Sequence, residues 1–241
     1  MNTILEYKKI KRTGVLPGCL LGGCLAAFVP ILELAVRSEQ YANIPKPPLQ
    51  IILQADWQMM AMLNMLLVIV ISCMMYHTEY ADNAIQRITT LPVREEEIFI
   101  GKTILLAGMC IVLLVIEMLS LTFCTLHWFG GADGAFIKDL LQNFGYSFCM
   151  LLPVALISLM TASAWKNMWI PLGIDVICVF MATMIPVKYF ALSIFPFALP
   201  FQILEGAKAG KVVSYLVVAA AEVLLIGAVE MIFLKVRRSL A

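Results

Sequence analysis

Charge is scarce in this sequence: Asp, Glu, Lys and Arg together make up 14% of its 241 residues, against about 25% in an ordinary soluble domain. Apolar residues, at 62%, take the space, and a mean hydropathy of +0.93 over the whole chain shows that the excess is not confined to one anchor. A soluble globular fold is excluded, and so is a soluble enzyme carrying a single membrane helix. Lipid is the solvent for most of the chain.

Net charge is nearly absent as well. Seventeen basic and sixteen acidic residues leave +1, which excludes the basic excess of a nucleic-acid binder. Histidine is rarer still: His77 and His127 are the only two, far apart and at predicted membrane borders. The cysteines (19, 24, 73, 110, 124, 149 and 178) all fall in apolar stretches, with no pair at zinc-site spacing. Neither a disulfide framework nor a metal centre is expected.

Enzyme signatures are missing too. A prenyl-protein-type intramembrane protease needs a glutamate pair with companion histidines inside spans, and a rhomboid needs Gly-x-Ser-Gly with a membrane histidine. Glu95 to Glu97 lie at a border, and Ser158 has no flanking glycines. Gly101-Lys102-Thr103 looks like the end of a phosphate loop, but that motif needs a glycine where Glu96 stands. Catalysis, including ATP hydrolysis, is therefore not expected of this chain.

What is present is a set of apolar runs of about 20 residues, the length that crosses a bilayer as a helix. Six can be laid down, at about 14–36, 57–76, 102–126, 139–164, 169–187 and 212–234, which predicts an all-α integral membrane protein with one domain over 14–235 and a tail at 236–241. Before them, MNTILEYKKIKRT sets Lys8, Lys9, Lys11 and Arg12 against Ile4, Leu5 and Ile10, the pattern of an interfacial amphipathic segment over 1–13. The run from Val15 to Leu32 exceeds a signal-peptide core and no A-x-A-like site follows it, so it reads as the first span.

Gly14, Gly18, Gly22 and Ala26 recur every four residues in that span and predict a helix-packing seam, against another helix of the chain or a second subunit. Pro30 is expected to kink the helix, and Pro45, Pro47 and Pro48 to make 37–56 an extramembrane loop. Met59, Met60, Met62 and Met65 in the second span suit adaptable packing or, alternatively, a soft ligand surface. Only Lys166 interrupts the connection between spans four and five, and FPFALPF at 195–201 reads as short interfacial or re-entrant helices broken at Pro196 and Pro200.

With the amino terminus inside, inner segments collect eleven of the seventeen basic residues: Lys8, Lys9, Lys11, Arg12, Arg87, Arg94, Lys102, Lys166, Lys235, Arg237 and Arg238. The outer segments keep Arg37, Lys46, Lys138, Lys188, Lys208 and Lys211. The asymmetry places both termini in the cytoplasm.

The longest inner loop, HTEYADNAIQRITTLPVREEEIFIGK at 77–102, is a charged island. Thr78 suits a helix cap and Glu79 a first turn, Tyr80, Ala84, Ile85 and Ile88 recur at helical spacing, and Pro92 stops the pattern before an acidic helix start at Arg94 to Glu97. Here the chain resembles the membrane subunits of ABC-2 type ATP-binding-cassette exporters, especially the small permeases of lantibiotic immunity and resistance systems. That family has a Glu-containing inner loop, then Leu-Pro, a basic residue and Gly-Lys entering span three. The counterparts here are Glu79, Leu91-Pro92, Arg94 and Gly101-Lys102, with Asn83 and Ala84 where a glycine is usual.

The resemblance implies a six-span permease of the type V exporter kind, with an amino-terminal amphipathic helix, a cytoplasmic coupling helix at about 78–92, and broken helices between spans five and six. It implies two copies of a separate ATPase that carries ATP and Mg, with no cofactor on this chain, and a second permease, either a sister subunit or another copy. It further implies a bacterial plasma membrane and a peptide substrate. Tyr80, Ile85 and Ile88 would be packing anchors on the ATPase, with Glu79, Asp82, Arg87 and Arg94 as a polar rim.

Five carboxylates lie within the predicted spans. Glu33 and Glu230 are close enough to span ends to snorkel, whereas Glu117, Asp175 and Glu222 are deep. Each deep charge costs about 2.5–3.5 kcal/mol at mid-bilayer, so these three either line a path for a cationic amphipathic substrate or are protonated and hydrogen-bonded for helix packing. Two other transport functions share these features: ABC-2 export of a small hydrophobic drug or lipid, and secondary transport on an ion gradient, for which the carboxylates would be proton relays.

Overall fold

The computed structural model describes residues 9–11, 13–41, 44–81, 95–131, 134–185 and 190–240, and the regular structure among them is helical, with no strand. The elements are α1 (Val15–Tyr41), α2 (Pro48–Ala81), α3 (Glu95–Trp128), α4 (Gly134–Ala164), α5 (Trp169–Thr183), the one-turn α6 (Phe190–Ser193), a 3-10 helix (Pro196–Phe201) and α7 (Ala209–Leu240). Five of them, α1, α2, α3, α4 and α7, are long and apolar enough to cross a membrane. The fifth predicted span, 169–187, is represented by α5, an apolar helix of only 15 residues. At 1.5 Å per residue it rises about 22 Å, less than a bilayer core of about 30 Å.

Two expectations about helix ends are corrected. The predicted loop at 37–56 is much shorter, because α1 continues to Tyr41 and α2 already begins at Pro48. A proline at the first helical position has no amide to leave unsatisfied, and its fixed φ suits the helix. Pro30 does not mark the break in α1 either: the non-helical residue is Arg37 (φ −128°, ψ 24°). Pro30 is buried in the bundle, where neighbouring helices compensate a lost bond. At Arg37 the apolar run ends, and its guanidinium (3.0 Å) and the Tyr41 hydroxyl (2.9 Å) both donate to the Glu33 carboxylate.

The interior is organised around α2, which packs against α1, α3, α4 and α5, while α4 also contacts α3 and α7. One apolar cluster gathers Val68, Ile69, Leu106, Leu113, Val154 and Leu159. A second gathers Leu34, Leu53, Trp57, Leu121 and Leu140 toward the end where α2 begins. Met60 and Met65 are fully buried in these clusters, the packing reading, whereas Met59 points outward. Helix α7 is peripheral: little of its apolar stretch is buried in the bundle, whereas most of that of α2 and of α4 is.

The small-residue stripe of α1 splits. A Cβ on Gly22 would run into the Leu67 side chain of α2, and one on Gly23 would come 2.8 Å from Leu113 Cδ2 of α3. Ala26 is fully buried beside them, and Ser120 of α3 donates a hydrogen bond to the Ala27 carbonyl. Gly18 meets nothing within 4 Å, and Gly14, at φ +73°, belongs to the turn before the helix. Four-residue spacing advances about 40° per step around an α-helix, so a row of four positions cannot hold one face.

Candidate functional site

Glu79 and Tyr80 lie in the last turn of α2, where the α2–α3 loop begins. Thr78 caps no new helix: its hydroxyl donates back to the Met75 carbonyl (3.2 Å) and α2 runs on to Ala81. The acidic helix start expected at Arg94 to Glu97 is present as the beginning of α3 at Glu95. Asp82, Ile85, Arg87, Ile88, Leu91, Pro92 and Arg94 lie outside the described residues.

Consecutive residues of an α-helix point about 100° apart, so Glu79 and Tyr80 address different neighbours. Glu79, 4% exposed, receives Lys102 Nζ from α3 at 3.0 Å and Lys9 Nζ from the amino-terminal segment at 3.3 Å. Lys102 is itself 1% exposed. Its ammonium also donates to the Met75 carbonyl (2.8 Å) and lies 4.9 Å above the Tyr76 ring. A cation this deep needs both a counter-charge and further hydrogen bonds to offset its desolvation, and the last two turns of α2 supply Glu79, the Met75 carbonyl and the Tyr76 ring. Next to Lys9, Ile10 is buried in the main core, so residues 9–11 are seated on the same corner; the rest of the predicted amphipathic pattern, Ile4, Leu5, Lys8 and Arg12, lies outside the described residues.

Tyr80 turns the other way. Its hydroxyl donates to the Ser163 carbonyl of α4 at 2.6 Å, and Ser163 Oγ donates to Glu230 Oε1 of α7 at 2.7 Å. The last turn of α2 is therefore tied on one side to α3 and the amino-terminal segment, and on the other to α4 and α7. Both residues make these contacts within the chain's own bundle, because α2 stays helical past them. Glu230 does not snorkel; it is fully buried and bonded.

The deep carboxylates occupy separate seams. Glu117 accepts a hydrogen bond from Asn64 Nδ2 at 2.8 Å, between α3 and α2. Asp175 accepts one from Thr161 Oγ1 at 2.9 Å, between α5 and α4. Glu222 is half-buried on the peripheral α7. Among the described residues no three His, Cys, Asp or Glu side chains converge closely enough to hold a metal ion.

The ion pair joining Glu79 to Lys102 escaped sequence reasoning, which placed Glu79 in the loop and Lys102 at a border. Its signal was a carboxylate closing one apolar run and an ammonium opening the next, which a helical hairpin brings to the same depth.

These features together define a multi-pass membrane protein in which the helix ends flanking the α2–α3 loop are fastened into the bundle. Residues 4–182 match the family model described as ABC-2 family transporter protein, and the chain belongs to that family. It is a membrane permease subunit of an ABC transporter, a transport component whose membership implies association with an ABC ATPase. No curated protein and no solved structure matches it.

Proposed function

We propose that this permease serves an ATP-driven exporter of the bacterial plasma membrane that removes lantibiotic-type antimicrobial peptides for immunity or resistance. Two ATPase copies would carry ATP and Mg, and a second permease, a sister subunit or another copy, would complete the path. Both termini lie in the cytoplasm, with α5 and the 3-10 helix completing a sixth crossing.

The observation that carries the coupling part of this reading is the doubly tied end of α2. A coupling helix formed by the loop and seated in an ATPase groove would deliver nucleotide-driven movement to the end of α2. The Glu79–Lys102 pair then passes it to α3, and the Tyr80–Ser163–Glu230 chain to α4 and α7. Buried ion pairs and hydrogen bonds resist being stretched, because an unpaired member keeps its full desolvation cost. The ends of these helices therefore move together rather than one at a time.

For the substrate, Glu222 is the supporting residue. It sits on the helix least covered by its own chain, where a cationic peptide or a second permease can meet it. Glu117 and Asp175, each hydrogen-bonded across a helix seam, fit the packing role instead.

The test is purification of the tagged chain from its native host in mild detergent, with mass spectrometry of what co-elutes, for wild type and Ile85→Asp. An ATPase recovered with wild type and lost with the variant is the expected result; a single chain in both preparations overturns the ATP-driven reading. Growth of the same strains in a lantibiotic examines the substrate. Protection by wild type, lost on Glu222→Gln while the ATPase still co-elutes, is expected, and equal sensitivity with and without the permease sinks the peptide assignment.

A further inference from the structure

At the end of the bundle remote from the loop, a cavity of ≈ 540 Å³ opens among the start of α2, the end of α5, the segment after the 3-10 helix and the start of α7. Its distance from Glu79 is about 37 Å along α2, from the 25 residues between Gln54 and Glu79 at 1.5 Å each, so it belongs to the opposite membrane border. The volume is that of a small-molecule site, about 300–1,000 Å³.

The floor is firmly built. Trp57 Nε1 of α2 donates to the Pro200 carbonyl at 2.9 Å, buried, which holds the 3-10 helix against the bundle. Gln202 Nε2 reaches back to the Ala198 carbonyl at 3.3 Å, and the Tyr215 hydroxyl shares a buried hydrogen bond of 2.8 Å with Ser193 Oγ. Gly206, at φ +77°, presses the following segment onto α2 so closely that a Cβ would lie 2.5 Å from Gln50 Nε2.

Within this frame the lining carries one carboxylate, Glu205, and one ammonium, Lys211. Neither forms an ion pair with a described residue; Lys211 lies 5.9 Å over the Tyr215 ring. Burial first, and then the charge of Asp139, hold the half-buried Glu205 carboxyl above its usual range, a position that a ligand cation beside it would relieve. Gln54 Oε1 is taken by Lys46 Nζ at 3.0 Å, so the amide offers the cavity its N–H donors. At the rim, Met184 is 85% exposed beside Ile185, an apolar step toward the bilayer.

We propose that this cavity binds the headgroup of a zwitterionic phospholipid of the phosphoethanolamine kind, its ammonium at Glu205 and its phosphate between Lys211 and the Gln54 amide. The balanced charge favours a headgroup with one charge of each sign over a polycationic peptide, and the apolar rim accepts the start of an acyl chain. The proposal is independent of the peptide substrate and of the ATPase partner.

The test is a titration of the purified full chain, with whatever co-purifies, by dihexanoyl phosphatidylethanolamine, dihexanoyl phosphatidylglycerol and free phosphoethanolamine. Saturable binding of the ethanolamine lipid is expected, with the glycerol lipid about tenfold weaker because it lacks the ammonium, a difference of about 1.4 kcal/mol. Glu205→Gln and Lys211→Met each weaken the ethanolamine lipid about tenfold, while Lys208→Met, on the same segment but outside the lining, binds as wild type. Equal binding of both lipids by wild type overturns the proposal without reliance on any variant. Free phosphoethanolamine binding as tightly as the lipid overturns the lipid assignment in favour of a soluble zwitterion.

Discussion

Lys102 has its ammonium in the one place where α2 can satisfy it, between the Glu79 carboxylate, the Met75 carbonyl and the Tyr76 ring. The two lysines on Glu79 are unequal. Lys102 is buried, whereas the Lys9 side chain is 46% exposed. Removing the carboxylate from a buried ion pair costs about 3–5 kcal/mol, while an exposed pair contributes about 0–1 kcal/mol. Glu79→Gln should therefore lower the detergent-phase Tm far more than Lys9→Met. Replacing Glu79 and Lys102 together by methionine should recover most of the loss, because no buried charge is then left alone. Equal Tm values for Glu79→Gln and Lys9→Met would show that the pair is solvated and does not fasten the loop.

At the scale of elements, α1 shows how a sequence pattern and a packing face can diverge. The four-residue stripe is real, but the helix turns it away, so close approach is confined to Gly22, Gly23 and Ala26. Gly18→Ala adds a methyl in open space and should stabilise by up to about 1 kcal/mol through helix propensity. Gly22→Ile pushes into Leu67 and should cost about 1–3 kcal/mol through overpacking. Thermal unfolding of the two variants separates the faces, and a stabilised Gly22→Ile would mean that α1 and α2 do not pack at that point. The 3-10 helix is a comparable case: FPFALPF was legible as neither loop nor span, but only the Trp57 bond to Pro200 shows that it is held as part of the bundle.

For the whole molecule, the two polar ties join the end of α2 to α3 and Lys9 on one side and to α4 and α7 on the other, and under the proposed coupling role each would carry its own share of the movement. Tyr80→Phe removes the hydroxyl that reaches α4 but leaves Glu79 and Lys102 in place. The ATPase should still co-purify at wild-type yield, while substrate moved per ATP hydrolysed falls, by about two- to tenfold if the lost bond contributed about 0.5–1.5 kcal/mol to coupling. Transport and hydrolysis measured on the same reconstituted complex check this. An unchanged ratio would assign the tie to stability alone.

The sequence by itself determined that the chain lives in lipid, that it is helical, roughly where most of its spans lie, and which loop resembles a coupling segment. Hydropathy and composition suffice there because a bilayer forces every backbone polar group to be satisfied within a helix. The tertiary structure decided what side chains near helix ends do: that Glu79 and Tyr80 face inward, that Lys102 is buried, that Glu230 is bonded, and that Glu117 and Asp175 lie in different seams. Those outcomes depend on the depth and rotation of one helix against another, which no linear spacing records. A residue at a span border reads alike in sequence whether it meets water or a partner 3 Å away across the bundle.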